Sequence, residues 1–243
     1  MELTKRLQAV ADMVTAGNRV ADIGCDHGYV SIYLSEQHIS PRIIAMDVNA
    51  GPLKKAKEHI KQHGLLPYIE TRLSDGTARL LPEEVETLLC AGMGGKLMIR
   101  IMEEGKTVIP HLKEIILQPQ SEIHLVRQYM RKIGFAIVAE KMVYEEGKYY
   151  PMMRAVPDSR LNYCNKIVED SLLTIYDKYG RLLLESRDPV LRSFLQKRSQ
   201  DVARLVTFLS QEAYRTDRQK QRIIELRKEL EEILLAQSFY KEM

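Results

Sequence analysis

The sequence predicts an α/β fold: a mostly parallel seven-stranded sheet with one antiparallel edge strand, followed by a C-terminal α-helical coiled-coil hairpin. Three observations carry this. Short β-branched runs alternate with longer amphipathic stretches up to about residue 156, the pattern of successive βαβ units. The last two apolar runs leave no room for a helix between them, since only "EEGK" at 145–148 separates them, which reads as a hairpin turn. From about residue 158 strand-like alternation stops, and apolar residues recur at spacings of three and four.

Strands are expected at 19–23 ("RVADI"), 43–47 ("IIAMD"), 68–73 ("YIETRL"), 86–90 ("ETLLC"), 114–117 ("EIIL"), 135–143 ("FAIVAEKMV") and 149–156 ("YYPMMRAV"). Helical patterns lie between them at 3–14, 28–36, 51–63, 95–104 and 121–133. Gly51-Pro52 opens the third helix and Gly64 closes it, matching the preference for proline early and glycine late. Beyond the sheet, Val202, Leu205 and Leu209 form one apolar stripe and Ile223, Leu226, Leu230 and Ile233 another. The polar "SQEAYRT" lies between them. That is the pattern of two helices folded back on each other as a coiled coil. The expected domains are 1–156 and 157–243.

Composition bounds the function. A chain of 243 residues, 45% hydrophobic and 28% charged, can bury a core. Cys25, Cys90 and Cys164 are scattered and odd in number, which suits neither a disulfide framework nor a zinc pattern. No separate apolar h-region opens the chain, and no apolar run approaches the roughly 20 residues of a membrane helix. A soluble, cytoplasmic protein without membrane contact is expected, a monomer or weak homodimer. The net charge of +3 and pI of about 8.6 leave both small metabolites and nucleic acids open as partners.

In an open parallel sheet, ligands bind beyond the carboxyl ends of the strands, where strand order reverses. Strand one delivers "DIGCDHGY", with Asp22, Gly24, Asp26, His27 and Gly28. Strand two ends in Asp47, 23 residues beyond Gly24 (47 − 24), a spacing suited to the paired hydroxyls of a ribose. Strand three is followed by Asp75, able to accept from an exocyclic amine, and by Gly76, which leaves room for a flat base. Strand four runs into "AGMGG" (Ala91, Gly92, Met93, Gly94, Gly95), small enough to let two ligands meet. Together these form a nucleotide site.

Charge chooses the nucleotide. A dinucleotide loop opens a helix N-terminus onto a pyrophosphate, but here Asp26 stands where that diphosphate would lie. S-adenosyl-L-methionine carries a sulfonium, an ammonium and no phosphate, and so welcomes a carboxylate. An NAD(P)-dependent oxidoreductase stays open as an alternative. His27 has no second His or Cys at ligand spacing, so no metal is expected; a structural histidine is its other reading.

"LTKRL", "ADIGCDHGY", "NAGPLKKA", "SDG", "AGMGG", "ILQPQ" and "GKYYPM" occur in this order over some 150 residues. The set resembles the bacterial tRNA (adenine-22-N1)-methyltransferase family (TrmK). The resemblance implies a Rossmann-like class I methyltransferase fold, S-adenosyl-L-methionine as cofactor and a tRNA adenine as acceptor. A catalytically silent methyltransferase-like RNA-binding module is a further alternative. Two features depart from general methyltransferase habit: Asp26 replaces the middle glycine of the first loop, and "AGMGG" replaces the Asn/Asp-Pro-Pro-aromatic loop that grips the target base.

The expected cofactor residues are therefore Asp22, Gly24, Asp26, His27, Gly28, Asp47, Asp75, Gly76, Ala91, Gly92 and Met93. Adenine N1 already holds a lone pair, so attack on a sulfonium methyl needs positioning rather than a general base. Asp26 is the one residue assigned to the reacting groups, orienting the cofactor or the incoming base. Substrate contacts are expected from Lys5, Arg6, Gly94, Gly95 and "QPQ" (Gln118, Pro119, Gln120), whose amides either read a purine edge or form a turn. Tyr29 and Tyr149, beside Tyr150, are either base-stacking rings or ordinary core and surface tyrosines. Between 181 and 204, Arg181, Arg187, Arg192, Lys197, Arg198 and Arg204 face Glu185, Asp188 and Asp201, a surplus of +3 (six minus three). That run is either an RNA contact or a solvated helix face.

Overall fold

The computed structural model describes residues 1–158, 170–211 and 216–241, so Cys164 and most of "SQEAYRT" lie outside the described residues. The chain falls into two compact units, Met1–Ile167 and Val168–Met243.

The first unit runs α1 (Lys5–Ala11), β1 (Val20–Ile23), α2 (Tyr29–Glu36), β2 (Ile43–Asp47), α3 (Ala50–Gln62), β3 (Ile69–Leu73) and β4 (Thr87–Met93). It continues α4 (Gly95–Glu104), β5 (Glu114–Pro119), α5 (Ile123–Lys132), β6 (Phe135–Glu145) and β7 (Lys148–Pro157). The seven strands form one sheet in the order β3-β2-β1-β4-β5-β7-β6. Every residue of β1, β2 and β5 is buried, as parallel strands covered on both faces must be. Val10, Ile32, Ala56 and Ile60 from α1, α2 and α3 pack on one face, and Met98, Met102, Val126 and Met130 from α4 and α5 on the other. The single reversed strand is β7, inserted between β5 and the outermost β6. Its hairpin turns on Glu146 and Gly147, both at positive φ, as a two-residue turn with the twist of the sheet requires.

Several strands outrun expectation, β4 and β5 among them. β4 continues through Ala91, Gly92 and Met93, because β5 beside it supplies pairing partners as far as Pro119. A register irregularity between Ala91 and Met93 accommodates Gly92 at φ 79°. Gln118 and Pro119 are thus strand residues rather than a turn.

At the amino ends of the strands, Glu114 is buried and accepts four hydrogen bonds. These come from the Thr15 amide (2.9 Å), Thr15 Oγ1 (2.7 Å), Thr87 Oγ1 (2.8 Å) and Asn18 Nδ2 (3.3 Å).

The second unit comprises α6 (Asp170–Tyr179), α7 (Arg181–Glu185), α8 (Pro189–Ser210) and α9 (Asp217–Ser238). Asp188 caps α8, accepting from the Val190 and Leu191 amides, and Pro189 occupies its first turn. Thr216 and Gln219 form a reciprocal capping box at the start of α9. The two long helices pack antiparallel, with Arg198 bridging to Glu229 at 2.6 Å. The buried seam is shifted from the expected one: Leu191, Leu195 and Val202 face Ile223, Leu226, Ile233 and Ala236, whereas Leu205 is 40% exposed and Leu209 and Leu230 half-buried. Helix α6 packs on the end of α9, the Tyr176 ring edge-on to Phe239, and Ile175, Tyr179, Leu183 and Leu184 of α6 and α7 are buried. Lys178 of α6 pairs with Glu232 of α9, toward the end of the hairpin far from its turn. Among the described residues, no helix is long and apolar enough to cross a membrane.

Candidate active site

A cavity of about 620 Å³ opens at the carboxyl ends of β1, β2 and β4, where strand order reverses between β1 and β4. Four carboxylates line it, Asp22, Asp26, Asp47 and Asp75, against two arginines, Arg6 and Arg100. The balance is acidic.

Asp47 ends β2 and is 8% exposed. Its Oδ1 accepts from the Asn49 amide at 2.8 Å and its Oδ2 from the Asp26 amide at 3.3 Å, so one carboxylate ties both loops to its strand. Asp22, in β1, is 4% exposed and accepts from Ser31 Oγ at 2.6 Å. Burial pushes its carboxyl up to about 6; the Ser31 hydrogen bond opposes that shift, and nearby Asp47 adds to it. Gly24 sits at φ 72° with Met93 packed where a side chain would begin, so backbone itself forms the floor there. Gly76 is closed off likewise by Ile101. Asp75 is exposed and pairs with Arg100 at 3.3 Å.

On the β4–β5 side, Gln118 is fully buried, and its Oε1 accepts from two donors at once: Arg6 Nη1 at 2.8 Å and the Gly92 amide at 3.1 Å. The bulge frees that amide from the sheet, and the side chain satisfies it. The Arg6 guanidinium also lies over the Tyr150 ring, 5.3 Å from its centroid. Arg6 and Gln120 converge above Gly92: a side chain there would stand 3.6 Å from Arg6 Nη1 and 3.8 Å from Gln120 Nε2.

Between the two halves, Asp26 takes a positive φ of 50° and its carboxylate, largely exposed, stands 3.5 Å from His27 Nε2. The rings of His27, Tyr29 and His59 lie within 5.6–5.9 Å of one another at interplanar angles of 15–27°. His59 Nδ1 reaches the His27 carbonyl at 3.1 Å, while His27 Nδ1 is buried without a partner.

Of the residues assigned from sequence to the cofactor, Asp22, Gly24, Asp26, His27, Asp47, Asp75, Gly76, Ala91, Gly92 and Met93 line the cavity. Gly28 does not: it caps α2 at φ 76°, and a side chain there would meet Ala56 of α3. Of those assigned to the substrate, Arg6, Tyr29 and Gln120 line it. Gln118 is fully buried and does not line the cavity, its side-chain oxygen accepting from Arg6 and Gly92. Pro119 is buried in β5. Gly94 and Gly95 cap and open α4 against Ser121, with room for no side chain at Gly95. Lys5 is exposed outside the cavity, and Tyr149 packs on Tyr144 at 4.7 Å.

Sequence reasoning missed Ser74, Arg100, Leu97, Val48, Asn49 and Pro52, which also line the cavity. The signal in sequence was Val48, an apolar residue between Asp47 and Asn49 at the end of strand two, which the structure leaves 58% exposed. The thiols of Cys25 and Cys90 are held above their ordinary range by burial, which keeps them protonated. No group of three His, Cys, Asp or Glu side chains clusters at metal-binding distance among the described residues.

The family model for a methyltransferase domain matches residues 3–153. The tRNA (adenine(22)-N(1))-methyltransferase of Bacillus subtilis is 30% identical over 95% of this chain and 95% of its own. The crystal structure of the B. subtilis m1A22 tRNA methyltransferase TrmK superposes with a TM-score of 0.83 at 29% identity, covering 97% of this chain and 98% of that one. Streptococcus pneumoniae Sp1610 in complex with S-adenosyl-L-methionine gives 0.82 at 28% identity, covering 97% and 99%. With a methyltransferase-domain match over more than half its length and a 30% identical relative along nearly all of it, the chain belongs to the tRNA (adenine(22)-N(1))-methyltransferase family.

Proposed function

We propose that the protein uses S-adenosyl-L-methionine to methylate N1 of adenine 22 in tRNA. The observation that carries this is the acidic cavity at the switch point, in which two buried carboxylates, Asp22 and Asp47, flank a backbone floor at Gly24. Such a set of carboxylate acceptors fits a cationic nucleoside and opposes a diphosphate. Asp47 holds the ribose hydroxyls, Asp22 faces the cationic tail, and Ser74, Asp75 and Gly76 border the base. When bound, the cofactor supplies an electrophilic methyl on a positively charged sulfur.

The acceptor enters beside Gly92, Met93 and Gln120. Because adenine N1 attacks through its own lone pair, these residues need only hold the base in line and exclude water. Arg6, fixed by Gln118 and Tyr150, presents a cation at that entrance. The reaction moves positive charge from sulfur to the base, and Asp26 offers its carboxylate toward that side. The enzyme works in the cytoplasm as a monomer or weak homodimer, with residues 1–156 for methyl transfer and 157–243 as a separate helical domain. A single-turnover assay with labelled cofactor and unmodified tRNA tests the proposal; label absent from N1 of adenine 22 would refute it.

A further inference from the structure

Helix α3 buries Leu53, Ala56 and Ile60 against the sheet. On its outer surface Lys54, Lys57 and Lys61 fall at i, i+3 and i+7, a single stripe, with Lys55 to one side. All four are exposed, and among the described residues none of them forms an ion pair. Glu58, at the spacing that would suit Lys54, is exposed on the same surface and leaves it unpaired. The helix dipole favours a cation only at Lys61, in the last turn; Lys54 and Lys57 gain nothing from it.

The position of the helix matters as much as its charge. Asn49 and Pro52, at its start, line the cavity, so the stripe begins at the cavity mouth and runs down the outside of the sheet. The second unit is different: Arg181, Arg198 and Arg204 are each paired to a carboxylate, Glu185, Glu229 and Asp201. Half of the basic residues singled out in that unit are therefore already neutralised within it.

We propose that the lysine stripe of α3 is a phosphate-binding surface for folded RNA, holding the backbone beside the cavity mouth while the target base enters. This rests on the tRNA reading of the cavity. Three ammonium groups along about 10 Å of helix are spaced to meet successive phosphates, and each neutralised phosphate releases a counterion on binding.

The test is the triple variant Lys54→Gln, Lys57→Gln, Lys61→Gln in the full chain, chosen because glutamine keeps helix propensity close to that of lysine. Anisotropy titration of an unmodified tRNA transcript over a range of KCl concentrations should show the slope of log affinity on log salt falling by about two to three. Affinity at low salt should fall roughly tenfold or more, with cofactor affinity by calorimetry unchanged. Wild-type slope and affinity in the variant would overturn the proposal. So would an equal loss toward heparin, which would make the stripe a general polyanion surface. Lysine-dependent tRNA binding by a wild-type protein that transfers no methyl group would support this surface while refuting the proposed activity.

Discussion

Asp22→Asn is expected to make the protein more stable and a poorer binder of its cofactor. The side chain is buried, and its carboxyl stands at about 6 against an ordinary 3.8. A carboxyl raised in the folded state opposes folding whenever it must be ionised. The penalty is absent below pH 3.8, grows as pH climbs to about 6, and is constant above. At about 1.4 kcal/mol per pH unit the full penalty is on the order of 3 kcal/mol. Asparagine keeps the shape and can still accept from Ser31, so the variant should gain about 1–3 kcal/mol at pH 8. That corresponds to a rise of roughly 2–10 °C in the thermal midpoint. The gain should hold from pH 8 down to about 6 and shrink as pH is lowered from there toward 4. Calorimetry with S-adenosyl-L-methionine should show weaker binding for the variant at neutral pH, and for the wild type below pH 6, where Asp22 takes up a proton. A variant destabilised at pH 8, or stabilised equally at pH 8 and pH 4.5, would refute the reasoning.

Asp47→Ala should weaken cofactor binding by about 1–3 kcal/mol, since it removes a charged acceptor and leaves the Asn49 and Asp26 amides unpaired; unchanged calorimetric affinity would take Asp47 out of the site. Gln118→Leu should raise KM for tRNA several-fold with little change in cofactor affinity, because it releases Arg6 and the Gly92 amide together; a loss confined to thermal stability would make Gln118 purely structural. Gly95→Ala should cost at least 2 kcal/mol in urea unfolding, as its methyl would stand 2.5 Å from the Ser121 carbonyl oxygen; wild-type stability would mean the α4 start yields freely.

The strand-end aspartates and glycines were legible because topology alone carries every parallel strand's carboxyl end to one rim. Asp22, Asp47 and Asp75 needed only the right strand boundaries to be brought together. The reading failed where a boundary depends on a neighbour: "AGM" has loop composition, yet β5 lies alongside and keeps it paired. Gln118 announced itself as a polar residue in an apolar run, but its partner Arg6 lies 112 residues away and no periodicity links them. Arg100 and Leu97 come from the face of α4 turned to the cavity, which packing against the sheet decides. The hairpin seam differs at its turn end because the apolar repeat continues in sequence where Leu205 and Leu209 are no longer buried.

Glu114 has a meaning beyond holding residues in place. Its carboxylate collects donors from the segment before β1 and from the first residue of β4, at the far end of the sheet from the cavity. Those donors meet only when β1, β4 and β5 stand side by side with no residue out of step. A slip of one position would turn the carboxylate to the other face and strand a charge in the core. The side chain thus makes any other strand order or alignment costlier than the native one. The alignment that shapes the cavity at one end of the sheet is thereby specified from the other.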